Sequence, residues 1–249
     1  MIREFNILRR HGRQFVKDLK KVELTPLFRG RPEISKSITD NEAEMLADLC
    51  PVGAIDPNDF GIDIGKCVFC KECAFACPDK IKFTNDYKIA SNVRANLIIR
   101  PGGTGVDIED SLVRKEVRKL FRNSLKLRQI SAGGDNSGEM ELNASGNVNF
   151  DMGRYGIEFV ASPRHADGIV ITGPITANMA EATQICYEAV PSPKIIILAG
   201  TDAISGGIFS DSKAIQRDFL DKYPVDLYVP GNPAHPLTFI NGILRLLGK

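Results

Sequence analysis

The second half of the chain alternates short apolar runs with segments in which apolar residues recur at helical spacing. Continuous apolar runs are typical of strands buried on both faces, and such strands separated by helices favour a mainly parallel α/β sheet. The predicted strands are 127–130, 168–172, 194–199 and 225–229, and the predicted helices are 107–124, 176–189, 214–222 and 236–247. Binding loops are then expected where the strands end, at 131–139, 173–176, 200–207 and 231–236.

The first half has a different pattern. In residues 2–21, helical spacing puts Ile2, Phe5 and Leu8 on one face and arginines and lysines on the other. This pattern predicts a basic amphipathic helix. Such a helix suits an anionic membrane, a partner subunit or its own domain equally well. A returning strand is predicted at 82–89, and the glycine-rich stretch within 91–106 predicts a linker. We therefore expect domains at 1–90 and 107–249, joined by 91–106.

Composition narrows the class of protein. The chain has 249 residues, 43% of them hydrophobic and 25% charged, with a formal net charge of +1. These values are typical of a folded globular protein and give no basic excess for a nucleic-acid partner. No apolar run approaches 18 residues and no signal peptide is apparent, so we expect no transmembrane segment and a cytoplasmic location. Cysteines stay reduced there, which favours metal binding over disulfides.

Four of the six cysteines lie within eleven positions, at Cys67, Cys70, Cys73 and Cys77, with Pro78 following. The spacing C-x2-C-x2-C-x3-C-P is the one with which bacterial ferredoxins bind a [4Fe-4S] cluster. The last cysteine of such a run serves a second cluster, so the first three need a partner from elsewhere. Cys50, which also precedes a proline, completes the set.

A second cluster would need cysteines at the same spacing before Cys50, where the chain has Asp40, Ala43 and Leu46. We therefore expect one [4Fe-4S] cluster, bound by Cys50 and the first three cysteines of the run, with Cys77 as a leftover ligand. Zinc or free thiols are the alternatives, although zinc ribbons usually separate two C-x2-C pairs by a longer spacer.

Several segments of the second half resemble one family. It is the small subunit of group 4 membrane-bound [NiFe] hydrogenases and formate hydrogenlyase, which is homologous to the complex I subunit that carries the terminal cluster. The resemblance covers roughly residues 118–249 and is carried by 121–128, 159–167, 172–176, 205–209 and 225–231. Residues 28–33 before the cysteines resemble the two-cluster ferredoxin subunit of the same complexes. The chain thus resembles a fusion of two electron-transfer subunits, an α+β ferredoxin-like domain followed by a flavodoxin-like α/β domain.

The resemblance also implies which residues would bind the family's own cluster. Its cysteines would fall at Asp135, Gly138, Asp202 and Asn232, and none of these residues supplies a thiolate. We therefore expect this cluster to be absent. The vacated positions would either enclose water or form an oxygen-lined site for a hard cation.

The resemblance suggests two alternative roles for Glu139 and for the pair Arg164 and His165. Glu139 matches a glutamate beside the family's cluster, where it would serve proton transfer or be an exposed loop carboxylate. Arg164 and His165 match a segment of the family's pattern, where they would line a subunit interface or make structural hydrogen bonds. Cys186 is predicted to be a buried core thiol.

The function expected from these features is electron transfer and scaffolding in a hydrogenase- or complex I-related oxidoreductase, with no catalytic residue of its own. Expected partners are a large [NiFe] hydrogenase-type or complex I-type subunit, membrane-arm subunits and a soluble ferredoxin. The chain would lie peripherally on the cytoplasmic face of the membrane. The alternatives are a structural or regulatory subunit with no redox role and a divergent α/β module that binds a small ligand.

Overall fold

The structure is a computed structural model that describes residues 2–12 and 15–249. The first half contains helices α1 (Ile2–His11), α2 (Asp40–Leu49) and α3 (Glu72–Ala76) and short strands β1 (Pro32–Ile34), β2 (Ile62–Asp63), β3 (Ile81–Phe83) and β4 (Ile98–Ile99). β1 pairs antiparallel with β3, and β2 pairs antiparallel with β4. Thr39 begins α2 with a capping box, in which its side chain accepts from the Glu42 N–H and Glu42 accepts from the Thr39 N–H.

The second half contains a parallel sheet, as the apolar runs predict. Its helices are α4 (Lys115–Phe121), α5 (Ser137–Ala144), α6 (Ala177–Ala189), α7 (Thr201–Ser205), α8 (Asp218–Lys222) and α9 (Pro236–Leu246). Its strands are β5 (Leu125–Ser131), β6 (Ile157–Phe159), β7 (Gly168–Thr172), β8 (Ile195–Ala199) and β9 (Leu227–Val229). Among the described residues these five strands follow the order β6-β5-β7-β8-β9, all parallel. The prediction of a flavodoxin-like α/β sheet is confirmed.

Alternate residues of the central strands pack on opposite faces of the sheet. Val170 and Ile197 face α9, whose buried side chains include Phe239 and Ile243. Their neighbours on the strands face a second core that continues into the first half of the chain, where it takes in the cysteine region. One face of the sheet and the first half of the chain therefore share a single hydrophobic core.

Several predicted elements differ from the structure. The predicted helix 2–21 is wrong beyond His11, because Gly12 has a φ of 63°, a left-handed conformation that ends helices. Residues 13 and 14 of that prediction lie outside the described residues. Farther along, Leu19 of the predicted apolar face is almost fully buried but lies outside any helix.

Two other helices are shorter than predicted. The segment 107–124 contains a single 3-10 turn, Asp110–Leu112, before α4 begins at Lys115. The segment 214–222 is helical only in α8, because Ile215 makes an isolated β-bridge with Thr176 instead. The returning strand is β3, which spans only the start of the predicted 82–89.

The segment 91–106 is packed in part, with Leu97 and Ile99 buried and the glycines at 102, 103 and 105 exposed. β4 lies within it and pairs with β2, and Val106 is buried. Among the described residues, no helix is long and apolar enough to span a bilayer.

Candidate functional site

Four cysteines, three from one short run and the more distant Cys50, line one small pocket in the first half of the chain. Cys50 lies just after α2, Cys67 and Cys70 lie in the loop before α3, and Cys73 lies within α3. The loop can turn so sharply because Phe69 and Lys71 both adopt left-handed conformations, with φ of 54° and 73°. The four residues predicted to bind a cluster are thus brought together.

Backbone N–H groups already point at two of these sulfurs. The Ala54 N–H donates to Cys50 Sγ and the Phe69 N–H donates to Cys67 Sγ, each at 3.3 Å. Burial raises the pKa of the Cys67 thiol to about 12 and that of Cys73 to about 11, with neighbouring cysteine sulfurs adding to both effects. Without a metal these two thiols are therefore protonated at neutral pH, and a metal that binds them must displace their protons.

The other two cysteines lie apart from this group. Cys77 ends α3, with its N–H donating to Cys73 O at 3.0 Å, and it does not line the four-cysteine pocket. Cys186 packs beside the core on α6, and burial raises the pKa of its thiol. No group of three or more His, Cys, Asp or Glu side chains in the described ranges, 2–12 and 15–249, is arranged to hold a metal ion.

A second small pocket lies at the carboxyl end of the parallel sheet. Asp135, Gly138, Asp202 and Asn232 all line it. Asp135 and Asn232 lie in the loops after β5 and β9, and Gly138 and Asp202 lie in the first turns of α5 and α7. Its volume is about 20 Å³, room for roughly one or two water molecules. The convergence follows from the sheet, because parallel strands end at one edge and β5 and β7 flank the point where the chain reverses its direction across the sheet.

The electrostatics of this second pocket are those of oxygen donors. The Ser137 hydroxyl and N–H donate to Asp135 and lower the pKa of its carboxyl group. Burial and the nearby Asp135 raise the pKa of Asp202, whose Oδ1 is buried and has no hydrogen-bond partner among the described residues. Glu139 is 9% exposed and accepts a bond of 2.6 Å from the Thr172 hydroxyl, so it is not the exposed loop carboxylate considered from sequence.

The two pockets differ in how well they fit an iron–sulfur cluster. The first presents four thiols, the soft donors that such a cluster requires. The second presents two carboxylates, an amide and a glycine, so its donors do not fit one.

A direct contact joins the two pockets, and sequence reasoning missed it. The Thr201 hydroxyl, one residue before Asp202, lies 2.9 Å from Cys67 O and 3.1 Å from Gly231 O. Arg29 holds the same cysteine loop from the other side, donating through one guanidinium nitrogen to Phe69 O at 2.8 Å. The only signal for Arg29 was its place in the ferredoxin-like segment 28–33, and nothing in the sequence singled out Thr201.

Arg217, a half-buried residue, is another anchor without a sequence signal. Its guanidinium donates to the carbonyls of Pro174, Asp202, Ala203 and Ile204, which ties α7 to the loop after β7. Arg164 and His165 lie on an exposed 3-10 turn, Pro163–His165, so their part in a subunit interface stays a prediction.

Comparison with known proteins assigns the second half of the chain. The family described as NADH ubiquinone oxidoreductase, 20 Kd subunit, matches residues 136–246. An NADH-quinone oxidoreductase subunit of Heliobacterium modesticaldum is 46% identical over 111 residues, which are 44% of this chain and 63% of that protein. The chain therefore spans less than two thirds of that relative.

Two further matches come from membrane-bound complexes. The probable membrane-bound hydrogenase subunit mbhJ of Pyrococcus furiosus is 34% identical over 131 residues, covering 53% of this chain and 78% of that subunit. A chain in the structure of the membrane-bound sulfane sulfur reductase, an archaeal respiratory membrane complex, is 31% identical over 53% of this chain and 73% of its own length. Its TM-score of 0.46 is too low to carry an argument. The family match and the extent of the hydrogenase-subunit match together show that the chain belongs to the family of the 20 kDa subunit of NADH ubiquinone oxidoreductase.

Proposed function

We propose that the chain is an iron–sulfur electron-transfer and scaffolding subunit of a membrane-associated oxidoreductase related to complex I and to membrane-bound hydrogenases. The observation that carries the proposal is the four-cysteine pocket, joined through Cys67 O to Thr201 at the carboxyl end of the parallel sheet. The names of the relatives support the class of complex, and the thiols support the chemistry.

Cys50, Cys67, Cys70 and Cys73 would bind one [4Fe-4S] cluster, which supplies one-electron transfer when bound. Each thiolate of such a cluster binds a different iron, so the four sulfurs need not converge on a single ion. The N–H groups of Ala54 and Phe69 would stabilise the thiolates, since a hydrogen bond to an ionised acceptor is stronger than one to a neutral acceptor. Burial would keep water away from the Cys67 sulfur, whereas Cys50, Cys70 and Cys73 are half-buried.

The pocket at the carboxyl end of the sheet would have no cluster. We assign Asp135, Gly138, Asp202 and Asn232 to the four positions at which the resemblance places cluster cysteines. Asp135 and Asn232 are exposed, so this edge would face a partner, for which we propose the large subunit of the complex. The scaffolding domain would comprise residues 107–249 and the cluster domain residues 1–90, joined by 91–106.

The complex would lie on the cytoplasmic face of a membrane arm, with a soluble ferredoxin as a candidate electron partner. α1 is a candidate contact segment, because Phe5 and Leu8 are 66% and 70% exposed beside Arg9 and Arg10. Whether α1 contacts an anionic membrane or another subunit stays a prediction.

A pair of matched cysteine variants tests the assignment of the cluster ligands. Cys70→Ser should lower iron from about four atoms per chain to less than about one and abolish the electron paramagnetic resonance signal of the reduced protein. Cys77→Ser removes a cysteine from the same loop and should leave both unchanged, because Cys77 lies outside the pocket. About four irons retained in Cys70→Ser would exclude Cys70 as a ligand, and zinc in place of iron would exclude an electron-transfer role.

A further inference from the structure

A larger cavity lies between the cysteine loop and the sheet domain, and the proposed cluster does not use it. Its volume is about 320 Å³, within the range of roughly 300 to 1,000 Å³ that is usual for small-molecule sites. Its walls come from the segment before β1, the cysteine loop and the region where β9 leads into α9. Such a position between two parts of a chain is common for ligand sites.

The charge of this cavity is one-sided. Arg29 is the charged residue in its lining, and no Asp or Glu among the described residues lines it. Arg29 is an exposed residue, and one of its guanidinium nitrogens donates to Phe69 O at 2.8 Å and lies 3.4 Å from Cys70 O, which orients the side chain along the cysteine loop. A guanidinium carries five N–H groups, so donors remain for a ligand. The positive charge of Arg29 therefore favours the binding of an anion in the cavity.

His235 adds a neutral donor to the same wall. Its Nδ1 accepts from the Leu237 N–H at 3.2 Å, so the ring proton lies on Nε2 in the neutral form. Burial lowers the pKa of His235, which favours that neutral form. The ring is held edge-on against Phe28 and Phe150, with centroids 5.2 and 5.8 Å away.

The start of α9 supplies the third polar feature. His235 is the N-cap of this helix of 11 residues, and the N–H groups of a first turn carry partial positive charge. Thr238, in that first turn, is 1% exposed and lines the cavity. A hydroxyl can donate one hydrogen bond, so Thr238 offers a further donor to a ligand oxygen in the cavity.

Apart from the exposed Asn232, the remaining walls are mainly apolar. Phe28, Val68, Phe69 and Ile89 enclose the cavity on the side of the first half, and Pro230 and Pro233 enclose it on the side of the sheet. These apolar side chains can pack against the apolar part of an organic molecule, and they provide no polar contacts for a strongly hydrated inorganic ion.

We propose that this cavity binds a small organic carboxylate, with its carboxylate between Arg29, His235 and Thr238 and its apolar body against Phe28 and Val68. The site needs neither iron nor the partner subunits, so it stands or falls separately from the proposed electron-transfer role.

Fluorine NMR of 4-fluorobenzoate with the full-length protein tests the proposal. The fluorine shift should saturate with added protein, and 4-fluorobenzyl alcohol, of nearly the same shape but uncharged, should bind at least tenfold more weakly. Arg29→Gln should weaken benzoate binding at least tenfold, and Thr238→Val should weaken it about threefold, in line with the loss of a hydrogen bond. Arg100→Gln removes an exposed arginine that pairs with Asp59 outside the cavity, and it should leave binding unchanged.

Arg29 also holds the cysteine loop, so its variant is paired with a check of fold by circular dichroism, and Thr238→Val gives an independent reading. No saturable shift for 4-fluorobenzoate would overturn the proposal, as would equal binding of the alcohol. Unchanged affinity in both folded variants would place the ligand elsewhere. Competition by inorganic phosphate at equal concentration would show a general anion site and overturn the specificity for organic carboxylates.

Discussion

The four-cysteine pocket and the pocket at the carboxyl end of the sheet are alike in volume and different in chemistry. Each has a volume of about 20 Å³, and residues distant in sequence converge on each. The first presents thiols, two of them receiving backbone N–H groups, whereas the second presents Asp135, Asp202 and Asn232. The comparison teaches that the fold fixes where residues converge and that the side chains at those positions decide what can be bound.

The largest effect is expected when cysteines are introduced at the four positions of the second pocket. The substitutions Asp135→Cys, Gly138→Cys, Asp202→Cys and Asn232→Cys together should raise iron from about four to about eight atoms per chain after anaerobic reconstitution. Gly138 can accept a side chain if Thr172 moves slightly, because an added Cβ would lie 3.2 Å from Thr172 Cγ2.

Iron and acid-labile sulfide measured together check this prediction. A three-cysteine variant that keeps Asp202 is the matched control and should bind less additional iron. Eight-iron protein would show that the second pocket lacks only ligands. No gain in the folded quadruple variant would show that these loops no longer have the geometry of a cluster site.

A smaller effect tests the contact between the two regions. Thr201→Val removes the hydroxyl that meets Cys67 O and Gly231 O at a fully buried position. It should lower the free energy of unfolding by about 1–2 kcal/mol, because a buried carbonyl is left without its partner. Urea unfolding of the anaerobic protein measures the change.

Two further variants serve as controls for Thr201→Val. Thr201→Ser keeps the hydroxyl and should recover most of the loss. Thr183→Val removes a fully buried hydroxyl that has no partner among the described residues, so it should be neutral or stabilising. If Thr201→Val behaves like Thr183→Val, the contact with Cys67 O does not stabilise the protein.

The smallest expected effect concerns His235, beside the loop of Asn232. Burial lowers its folded-state pKa below the ordinary value of 6.5, so the unfolded chain binds the proton more readily. The free energy of unfolding therefore keeps its full value above pH 6.5 and decreases as the pH falls below 6.5. The decrease is less than about 1.4 kcal/mol per pH unit, which is the limit for one proton.

His235→Asn keeps a good helix cap while removing the titrating ring. Between pH 7.5 and 5.5 its urea midpoint should fall less steeply than that of the wild type. His165→Asn, at an exposed position, serves as the control and should retain the wild-type slope. Parallel slopes for all three proteins would show that His235 does not contribute.

The sequence predicts the sheet well because its strands are apolar throughout. β7 matches the predicted 168–172, and α9 ends within one residue of the predicted helix. β6 was missed because it has three residues at the sheet edge, with Glu158 exposed, and gives no apolar run. The helix predicted at 2–21 is wrong after His11 because spacing alone gave no weight to Gly12.

The candidate site was predictable only in part. Convergence of Asp135, Asp202 and Asn232 follows from the parallel strands, since the loops after them meet at one edge. The contact of Thr201 with Cys67 O joins residues 134 positions apart, and packing between the two halves creates it. The cavity beside Arg29 has the same origin, so no local pattern could reveal either feature.

The most direct test of the proposed electron-transfer role is the content of iron and acid-labile sulfide in the anaerobically purified wild-type protein, with electron paramagnetic resonance of the reduced sample. We predict about four irons and four sulfides per chain and a single reduced-cluster signal. About eight irons with two signals would contradict the loss of the second cluster, and zinc without iron would contradict the electron-transfer role.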